Sequence, residues 1–262
     1  MEYTLVTGGS SGIGKSLATE CARRGMNLVL VALPGPELEQ TAKDLTNRFS
    51  IDVRTLPINL NEPDAPRKVY EWCCENNLSI NFLINNAGLA GTTVFDQSDP
   101  DYSDSRILLN IRALTLITRY FVPMLKKHNH SIILNIASLS AFFPIPFKSV
   151  YSATKSYVVS FSRSLGLELK RFGIQVSVLC PNGVETNEGT YTRIHAHKQW
   201  GEWTKINSDR LAMLTIRKVL KGKKVIVPLF INRLLLFISR LMPMSLLLLL
   251  LEYEFNKEVR VS

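Results

Sequence analysis

The chain has 262 residues, of which 46% are hydrophobic and 20% are charged, values typical of a globular protein with a sizeable core. This composition excludes a disordered chain, a collagen-like fibre and a disulfide scaffold. The formal net charge is +9, but the basic residues occur in short groups, so a solvated surface is the simpler interpretation and we expect no nucleic-acid partner.

The amino terminus shows no pattern of a secretory signal. Residues 1–6 lack a basic region followed by an apolar stretch and instead begin a strand pattern, so a cytoplasmic location is expected. The four cysteines have no metal-ligand spacing. We therefore expect reduced, mostly structural thiols and no metal site.

Short apolar runs alternate with longer amphipathic segments along the chain. Apolar runs predict strands at residues 3–7, 27–32, 52–58, 81–85, 131–137, 175–180 and 224–227. Helical spacing of apolar residues predicts helices at 14–24, 37–49, 63–76, 103–127 and 150–172. The alternation predicts an α/β protein with a doubly wound parallel sheet (Rossmann fold) of about seven strands and helices on both faces. We expect one domain over 1–262, with a substrate loop or lid near 185–207 and an apolar C-terminal extension over 225–262.

A glycine-rich turn follows the first predicted strand and opens the first predicted helix. Gly8 allows the sharp turn, Gly12 lets backbone amides approach a pyrophosphate, and Gly14 lets the helix pack closely on the strand. The amides at the helix N-terminus would then bind the phosphates of a dinucleotide. A strand-to-helix turn in any α/β protein can use several glycines. The position of this turn, directly after the first strand, is what favours dinucleotide binding.

The spacing Thr7-Gly8-x-x-x-Gly12-Ile13-Gly14 resembles the cofactor loop of the short-chain dehydrogenases/reductases, and further motifs follow in that family's order over about residues 3–186. The resemblance implies an NAD(P)-dependent oxidoreductase that moves a hydride between nicotinamide and a ketone or secondary alcohol. It implies cofactor contacts at Gly8, Ser10, Ser11, Gly12, Ile13, Gly14, Leu33, Asn59, Leu60, Asn86, Ala87, Gly88, Tyr151, Lys155, Pro181, Gly183, Val184 and Thr186. The family usually has Gly after the proline, where Asn182 stands here, and because Asn tolerates unusual backbone angles we expect the turn to survive.

The most specific signal is a serine followed thirteen residues later by Tyr-x-x-x-Lys. Ser138 ends the fifth strand, at the edge where open α/β sheets bind ligands, and Tyr151 and Lys155 share one face of a helix. A phenol with a pKa of ~10 is a poor base at neutral pH, so a nearby ammonium must favour its ionised form. The resemblance implies that Tyr151 exchanges the proton, Ser138 orients the substrate oxygen and Lys155 also holds the nicotinamide ribose. Ser140 is a rival for Ser138 whose register matches less well.

Asn110 lies within a predicted helix, where a polar amide is mildly unfavourable. It occupies the place of the asparagine that kinks a helix and holds a proton-relay water in this family. The catalytic set implied by the resemblance is therefore Asn110, Ser138, Tyr151 and Lys155.

The choice of nicotinamide is set at the end of the second strand, where an acidic residue would hold the ribose 2′-hydroxyl and a basic one a 2′-phosphate. Ala32 and Leu33 are uncharged, and Ser11 replaces a basic residue that many relatives binding NADP carry. Without an acid to reject the phosphate, NADP(H) is slightly preferred over NAD(H). Asn59, where relatives often have Asp, does not decide the choice.

Residues 225–251 are strongly apolar but contain two arginines and two prolines, and no window of 18 apolar residues is free of charge. A membrane-spanning helix is therefore disfavoured. Three alternatives stay open: a helix in an oligomer interface, a flap over an apolar substrate pocket, and an amphipathic anchor in peripheral contact with a membrane. Relatives pair through the helices that carry Asn110 and Tyr151, which implies a homodimer or homotetramer.

The apolar extension favours a lipid-like carbonyl or alcohol substrate, and the glycine loop up to Lys15 is similar to that of ketosphinganine reductases. Fatty 3-ketones, steroids and polyketide-like compounds remain open. The alternative function is a catalytically silent, nucleotide-sensing or membrane-associated binding protein, since a fold does not guarantee chemistry. The intact catalytic set argues against that alternative.

Overall fold

The structure is a computed structural model that describes residues 1–185 and 205–259. Thr186 and most of the predicted lid over 185–207 lie outside the described residues. In chain order the strands are β1 (Glu2–Thr7), β2 (Asn27–Ala32), β3 (Val53–Pro57), β4 (Ser79–Asn85), β5 (Ser131–Ile136), β6 (Ile174–Leu179), β7 (Val184–Glu185), β8 (Ile206–Asn207) and β9 (Val225–Ile226).

Seven of these strands form one parallel sheet in the order β3-β2-β1-β4-β5-β6-β9. The predicted doubly wound sheet is confirmed, and the seven predicted strands match the observed ones to within two residues at each end. The strands β7 and β8 pair in parallel with each other outside that sheet. This pairing joins the two ends of the predicted lid segment.

The helices flank the sheet in two layers. They are α1 (Gly12–Arg23), α2 (Pro36–Phe49), α3 (Ala65–Glu75), α4 (Pro100–Ile107), α5 (Leu114–Leu125), α6 (Ser149–Glu168), α7 (Ser208–Leu220), α8 (Phe230–Leu241) and α9 (Met244–Val259). A π-helix over Leu108–Ala113 joins α4 to α5, so Pro100–Leu125 is one continuous helical stretch. The helices α7, α8 and α9 were not among the predicted helices, although the buried residues of α7 repeat at helical spacing.

Neighbouring residues of a strand face opposite helix layers. In β1, Leu5 packs into a core with α3 and α5, whereas Val6 packs into a core with α1, α2 and α7. Both side chains are fully buried, because a parallel sheet covered on both faces has no solvated side. This explains why the strands appear in the sequence as continuous apolar runs.

Among the described residues, Pro100–Leu125 is the one helix that is long and apolar enough to cross a bilayer by length and composition. Its second half packs on the sheet, with Ile117, Phe121 and Leu125 buried in the core beside β4. It is therefore a core helix of the α/β layers.

The strand β2 pairs with one edge of β1, and the chain later returns to pair β4 with the opposite edge of β1. In doubly wound sheets this change of direction opens a crevice at the carboxyl ends of the strands, where ligands bind. The segments that follow β1, β4 and β5 meet at that edge, and they carry most of the predicted site residues.

Candidate active site

The glycine loop between β1 and α1 uses backbone conformations that favour glycine. Gly8 has φ +66° and Gly12 has φ +52°, both in the left-handed region. The N-cap residue of α1, Ser11, makes no side-chain capping hydrogen bond. The first amides of α1 therefore point out of the loop with no side-chain acceptor from the cap, as an anion-binding helix end requires.

Gly14 allows α1 to pack directly on the loop. A Cβ at this position would lie 2.0 Å from the carbonyl oxygen of Gly8 and 2.4 Å from Asn86 Nδ2. Close packing of helix and strand, the role predicted for this glycine, thus has a geometric basis.

We predict that Gly14→Ala destabilises the fold by about 1–3 kcal/mol, since the loop backbone must move to admit a methyl group. It should also weaken dinucleotide binding, because the displaced backbone carries the phosphate-facing amides. Urea unfolding and a fluorescence titration with NADPH measure the two effects. Gly166→Ala in α6 is the matched control: its Cβ would be 3.4 Å from Val176, so alanine should stabilise the helix. Equal behaviour of the two variants would contradict the packing argument.

The end of β4 is clamped to the glycine loop. Asn86 Nδ2 donates to the carbonyl oxygens of Thr7 at 3.0 Å and Gly8 at 3.1 Å. Thr7 Oγ1 accepts from the backbone amides of Asn86 and Ala87, each at 3.0 Å. These bonds place the predicted segment Asn86, Ala87 and Gly88 against the loop. Thr7 is the centre of this clamp, although its place in the glycine motif did not predict it as a site residue.

Behind the clamp, a chain of buried polar side chains joins the sheet to two helices. Asn85 Nδ2 donates to Thr118 Oγ1 and to Asn135 Oδ1, both at 2.9 Å. Asn135 Nδ2 then donates to Ser162 Oγ at 2.9 Å. All four residues are buried, so these bonds fix α5 and α6 relative to β4 and β5.

Lys155 lies one turn after Tyr151 on α6, and its side chain is buried. Its Nζ donates to the carbonyl oxygen of Ile136 at 3.0 Å and lies 5.8 Å from the centroid of the Tyr151 ring. The side chain is only 5% exposed, and burial lowers the pKa of Lys155 to about 8, with a small opposing effect of Cys180. Because a pKa of about 8 is still above neutral pH, most of this amine is protonated beside the phenol at pH 7.

Ser138 lies just after β5, at the carboxyl edge of the sheet. Its Oγ accepts a hydrogen bond from the Ser140 amide at 3.2 Å, which leaves the hydroxyl hydrogen to donate to a ligand. Ser140 is buried, and its Oγ has no hydrogen-bond partner among the described residues. The half-buried Ser138 is thus the better placed of the two serines to meet a substrate.

Asn110 is buried in the π-helix between α4 and α5, a distortion often found at functional sites. Its Oδ1 accepts from the Leu89 amide at 2.8 Å, and its Nδ2 donates to the Leu89 carbonyl at 2.9 Å and to Thr154 Oγ1 at 3.1 Å. The side chain therefore joins the segment after β4 to α6. Its role in holding a relay water remains a prediction.

Thr154 links Asn110 to Tyr151. Its Oγ1 donates to the Tyr151 carbonyl oxygen at 2.8 Å and accepts from Asn110. A Cβ at Gly88 would lie 3.0 Å from Asn110 Oδ1 and 3.3 Å from Lys155 Nζ. The segment after β4 therefore packs closely against both side chains. Thr154 was not predicted as a site residue, because it is one of the three unspecified positions within Tyr-x-x-x-Lys.

A family model for short chain dehydrogenases matches residues 2–195. The chain belongs to the short-chain dehydrogenase family. The very-long-chain 3-oxoacyl-CoA reductase of Rattus norvegicus is 34% identical over 189 residues, which cover 71% of this chain and 60% of that protein. The very-long-chain 3-oxoacyl-CoA reductase-A of Danio rerio is 33% identical over 189 residues, which cover 71% of this chain and 59% of that protein. The chain thus spans about 60% of the length of these relatives.

Solved structures show the same architecture. A short-chain dehydrogenase from Sphingobium yanoikuyae in complex with NADPH is 31% identical, with a TM-score of 0.78 over 88% of this chain and 89% of that one. The bulky-bulky ketone specific alcohol dehydrogenase from Comamonas testosteroni is 26% identical, with a TM-score of 0.78 over 92% and 91%. The predicted family and fold are confirmed.

The remaining residues assigned by the family resemblance differ in how they could meet a cofactor. Leu33 is 63% exposed at the end of β2. Leu60 is buried in the core, so only its backbone could contact a ligand. Asn59 Oδ1 accepts from the Asn61 amide at 3.1 Å and shapes a turn.

The segment after β6 is tied to the Ser138 loop. The Pro181 carbonyl oxygen accepts from the Leu139 amide at 2.7 Å, and the Gly183 carbonyl oxygen accepts from Ile206 at 3.0 Å. Val184 packs into the core. Asn182 does not have a positive φ, so this position does not need the unusual backbone angles expected for it, and an asparagine can replace the family's glycine without strain.

A small cavity lies beside Tyr151 at the start of α6. Gly91, Phe95, Tyr102, Phe147 and Val150 are among the residues that line it. Phe147 has φ +63°, which is rare for a bulky residue and is found most often at functional sites. Apolar side chains therefore line part of the space beside Tyr151.

Proposed function

We propose that this protein is an NADP(H)-dependent oxidoreductase that interconverts an apolar, long-chain 3-oxo compound and its secondary alcohol. The observation that carries the proposal is the buried Lys155 ammonium beside the Tyr151 ring, at the end of the strand β5 that Ser138 follows. The names of the relatives support 3-oxoacyl thioesters as the substrate class.

The loop fits a dinucleotide. The amides at the start of α1 lack a side-chain cap, and Gly12 holds the loop open with a left-handed conformation. A bound nicotinamide dinucleotide supplies the hydride. The exposed, uncharged Leu33 at the end of β2 leaves room for a 2′-phosphate and offers no carboxylate to repel it.

The protein's own groups manage the proton. In reduction, the Tyr151 hydroxyl donates a proton to the substrate oxygen while the Ser138 hydroxyl donates a hydrogen bond to the same atom. The Lys155 ammonium stabilises the phenolate that is left. Because the pKa of Lys155 is about 8, this support is lost as the pH rises through that value. In oxidation the same groups act in reverse, with the Tyr151 phenolate accepting the proton.

We also propose that the protein forms a homodimer or homotetramer. The support for this is the family resemblance of the helices that carry Asn110 and Tyr151. Light scattering after size-exclusion chromatography measures the mass of the assembly, and a monomeric mass would contradict the proposal.

The function is tested by separate fluorescence titrations with NADPH and NADH, followed by turnover on 3-oxoacyl-CoA of short and long chain. We expect NADPH to bind about tenfold more tightly than NADH, the effect of one further contact to a charged group. We expect kcat/KM to rise with chain length as more apolar surface is buried. Tighter NADH binding would overturn the cofactor preference, and binding of neither would overturn the proposed function.

A further inference from the structure

The two C-terminal helices expose an unusual amount of apolar surface. In α8, Asn232 and Leu236 face the protein, whereas Phe237 and Leu241 on the other side are 61% and 72% exposed. In α9 the exposed apolar side chains include Leu249, which is 64% exposed. We call the exposed residues of the two helices the C-terminal apolar surface: Phe230, Leu234, Phe237, Ile238, Leu241, Met244, Leu246, Leu248, Leu249, Leu250 and Tyr253.

The same part of the chain carries nearly all of the excess positive charge. The lysines and arginines of the chain occur in short groups. Residues 210–251, however, contain eight of them and no aspartate or glutamate, so the positive charge of this segment is not balanced within it. The eight are Arg210, Arg217, Lys218, Lys221, Lys223, Lys224, Arg233 and Arg240. The net charge of the whole chain is +9, so the rest of the protein is close to neutral.

Several of these cations lie close to one another and to the apolar surface. The pKa of Lys218 is lowered by burial and then by repulsion from Arg233, Arg217 and Lys223. The guanidinium of Arg233 also lies 5.7 Å from the centroid of the exposed Phe230 ring. Cations thus border the apolar face, as they do on helices that lie at a membrane surface.

Both helices lie near the candidate active site. Asn232 of α8 is 3.5 Å from the side chain of Asn182, in the segment that follows β6. In α9 the ring of Phe255 lies 4.5 Å from Lys148 Nζ, at the N-cap of the helix that carries Tyr151. A bilayer that covers α8 and α9 would therefore lie beside the segment that follows β6 and the start of the helix that carries Tyr151.

We propose that the C-terminal apolar surface docks this protein onto an anionic lipid bilayer, with its apolar side chains in the interface and its cations among the lipid headgroups. The helices lie on the bilayer and do not cross it, because α8 has 12 residues and α9 has 16, fewer than the ~20 apolar residues that a spanning helix needs. Docking there would bring the start of the helix that carries Tyr151 next to the membrane lipids.

A second copy of this chain is a poorer occupant of the same surface. Two copies joined through this surface would bring the eight cations of one copy close to the eight of the other, and only Glu252, Glu254 and Glu258 at the end of α9 would partly compensate them. Like charges brought together in this way oppose association. An anionic bilayer neutralises these cations and buries the apolar side chains at the same time.

The test is co-sedimentation of the whole protein with vesicles of phosphatidylcholine alone or mixed with phosphatidylserine, at low and high salt. We expect strong binding to the anionic vesicles and at least tenfold weaker binding to the neutral ones. The double variant Phe237→Glu/Leu241→Glu should lose binding by more than tenfold. Arg233→Gln should weaken binding to anionic vesicles by about fivefold. Leu167→Glu, on the exposed side of α6, is the matched control and should bind as the wild type does.

Circular dichroism and NADPH binding show whether each variant is folded, since neither depends on the bilayer. Equal binding of the wild type and the double variant would overturn the proposal. So would a stable dimer in solution that the double variant splits into monomers while the wild type ignores both kinds of vesicle. Vesicle binding requires no turnover, so failure of this proposal is distinct from failure of the oxidoreductase function.

Discussion

Replacing Tyr151 with phenylalanine is expected to lower kcat by about 10²–10⁴-fold, the range found for removing a general acid or base. The hydroxyl is the only part of the side chain that is lost, so the ring keeps its place beside Lys155, whose Nζ lies 5.8 Å from its centroid. The glycine loop that would hold a dinucleotide is formed by other residues. NADPH affinity should therefore change by less than about threefold, well under 1 kcal/mol.

Tyr157→Phe is the matched control for this prediction. It makes the same chemical change on the same helix, but the Tyr157 hydroxyl contacts Thr115 Oγ1 at 2.9 Å, away from the catalytic groups. The control should lose about 1 kcal/mol of stability and keep its kcat. Steady-state turnover and fluorescence titration of both variants decide the matter. A Tyr151→Phe enzyme that retained normal turnover would contradict the role proposed for Tyr151, whereas binding of NADPH without turnover in both the wild type and the variant would favour the silent, nucleotide-binding alternative.

The strands could be predicted from the sequence for a clear reason. In a sheet covered on both faces every strand residue is buried, so strands such as β2 and β5 appear as uninterrupted apolar runs. The family resemblance then assigned roles to Ser138, Tyr151 and Lys155 from their order and spacing. In the structure Lys155 contacts the last residue of β5 and lies beside the Tyr151 ring, and Ser138 follows that strand by two residues. The catalytic roles themselves stay predictions.

The supporting contacts could not be predicted in the same way. Asn85 and Asn135 lie on adjacent strands but 50 residues apart in the chain, and nothing local in the sequence marks two buried amides as partners. The bonds of Thr154 to Asn110 and Tyr151 depend on how the π-helix turns toward α6. Such contacts follow from tertiary packing, which a pattern of apolar residues does not specify.

Lys155→Met is expected to abolish turnover while making the protein more stable at neutral pH. The pKa of Lys155 is lowered from 10.5 to about 8 by burial, and a difference of this size between the unfolded and folded states is equivalent to about 3 kcal/mol. Methionine removes that cost but leaves the Ile136 carbonyl, which Lys155 Nζ contacts at 3.0 Å, without its donor. After a loss of about 1 kcal/mol for that bond, the net gain should be about 1–2 kcal/mol.

The free energy of unfolding should depend on pH because the pKa of Lys155 differs between the folded and the unfolded protein. Between the folded pKa of about 8 and the ordinary value of 10.5, the unfolded chain holds a proton on this lysine that the folded protein has released. The free energy of unfolding of the wild type should therefore rise with pH across that window, and the cost is fully present below pH 8. Urea unfolding at neutral pH and above pH 9 measures both proteins. The Met variant should lack the part of this rise that is due to Lys155, and Lys170→Met, at an exposed position of the same region, should behave as the wild type. A Met variant less stable than the wild type at neutral pH would show that the buried ammonium stabilises the fold, and the charge required for catalysis would then carry no structural cost.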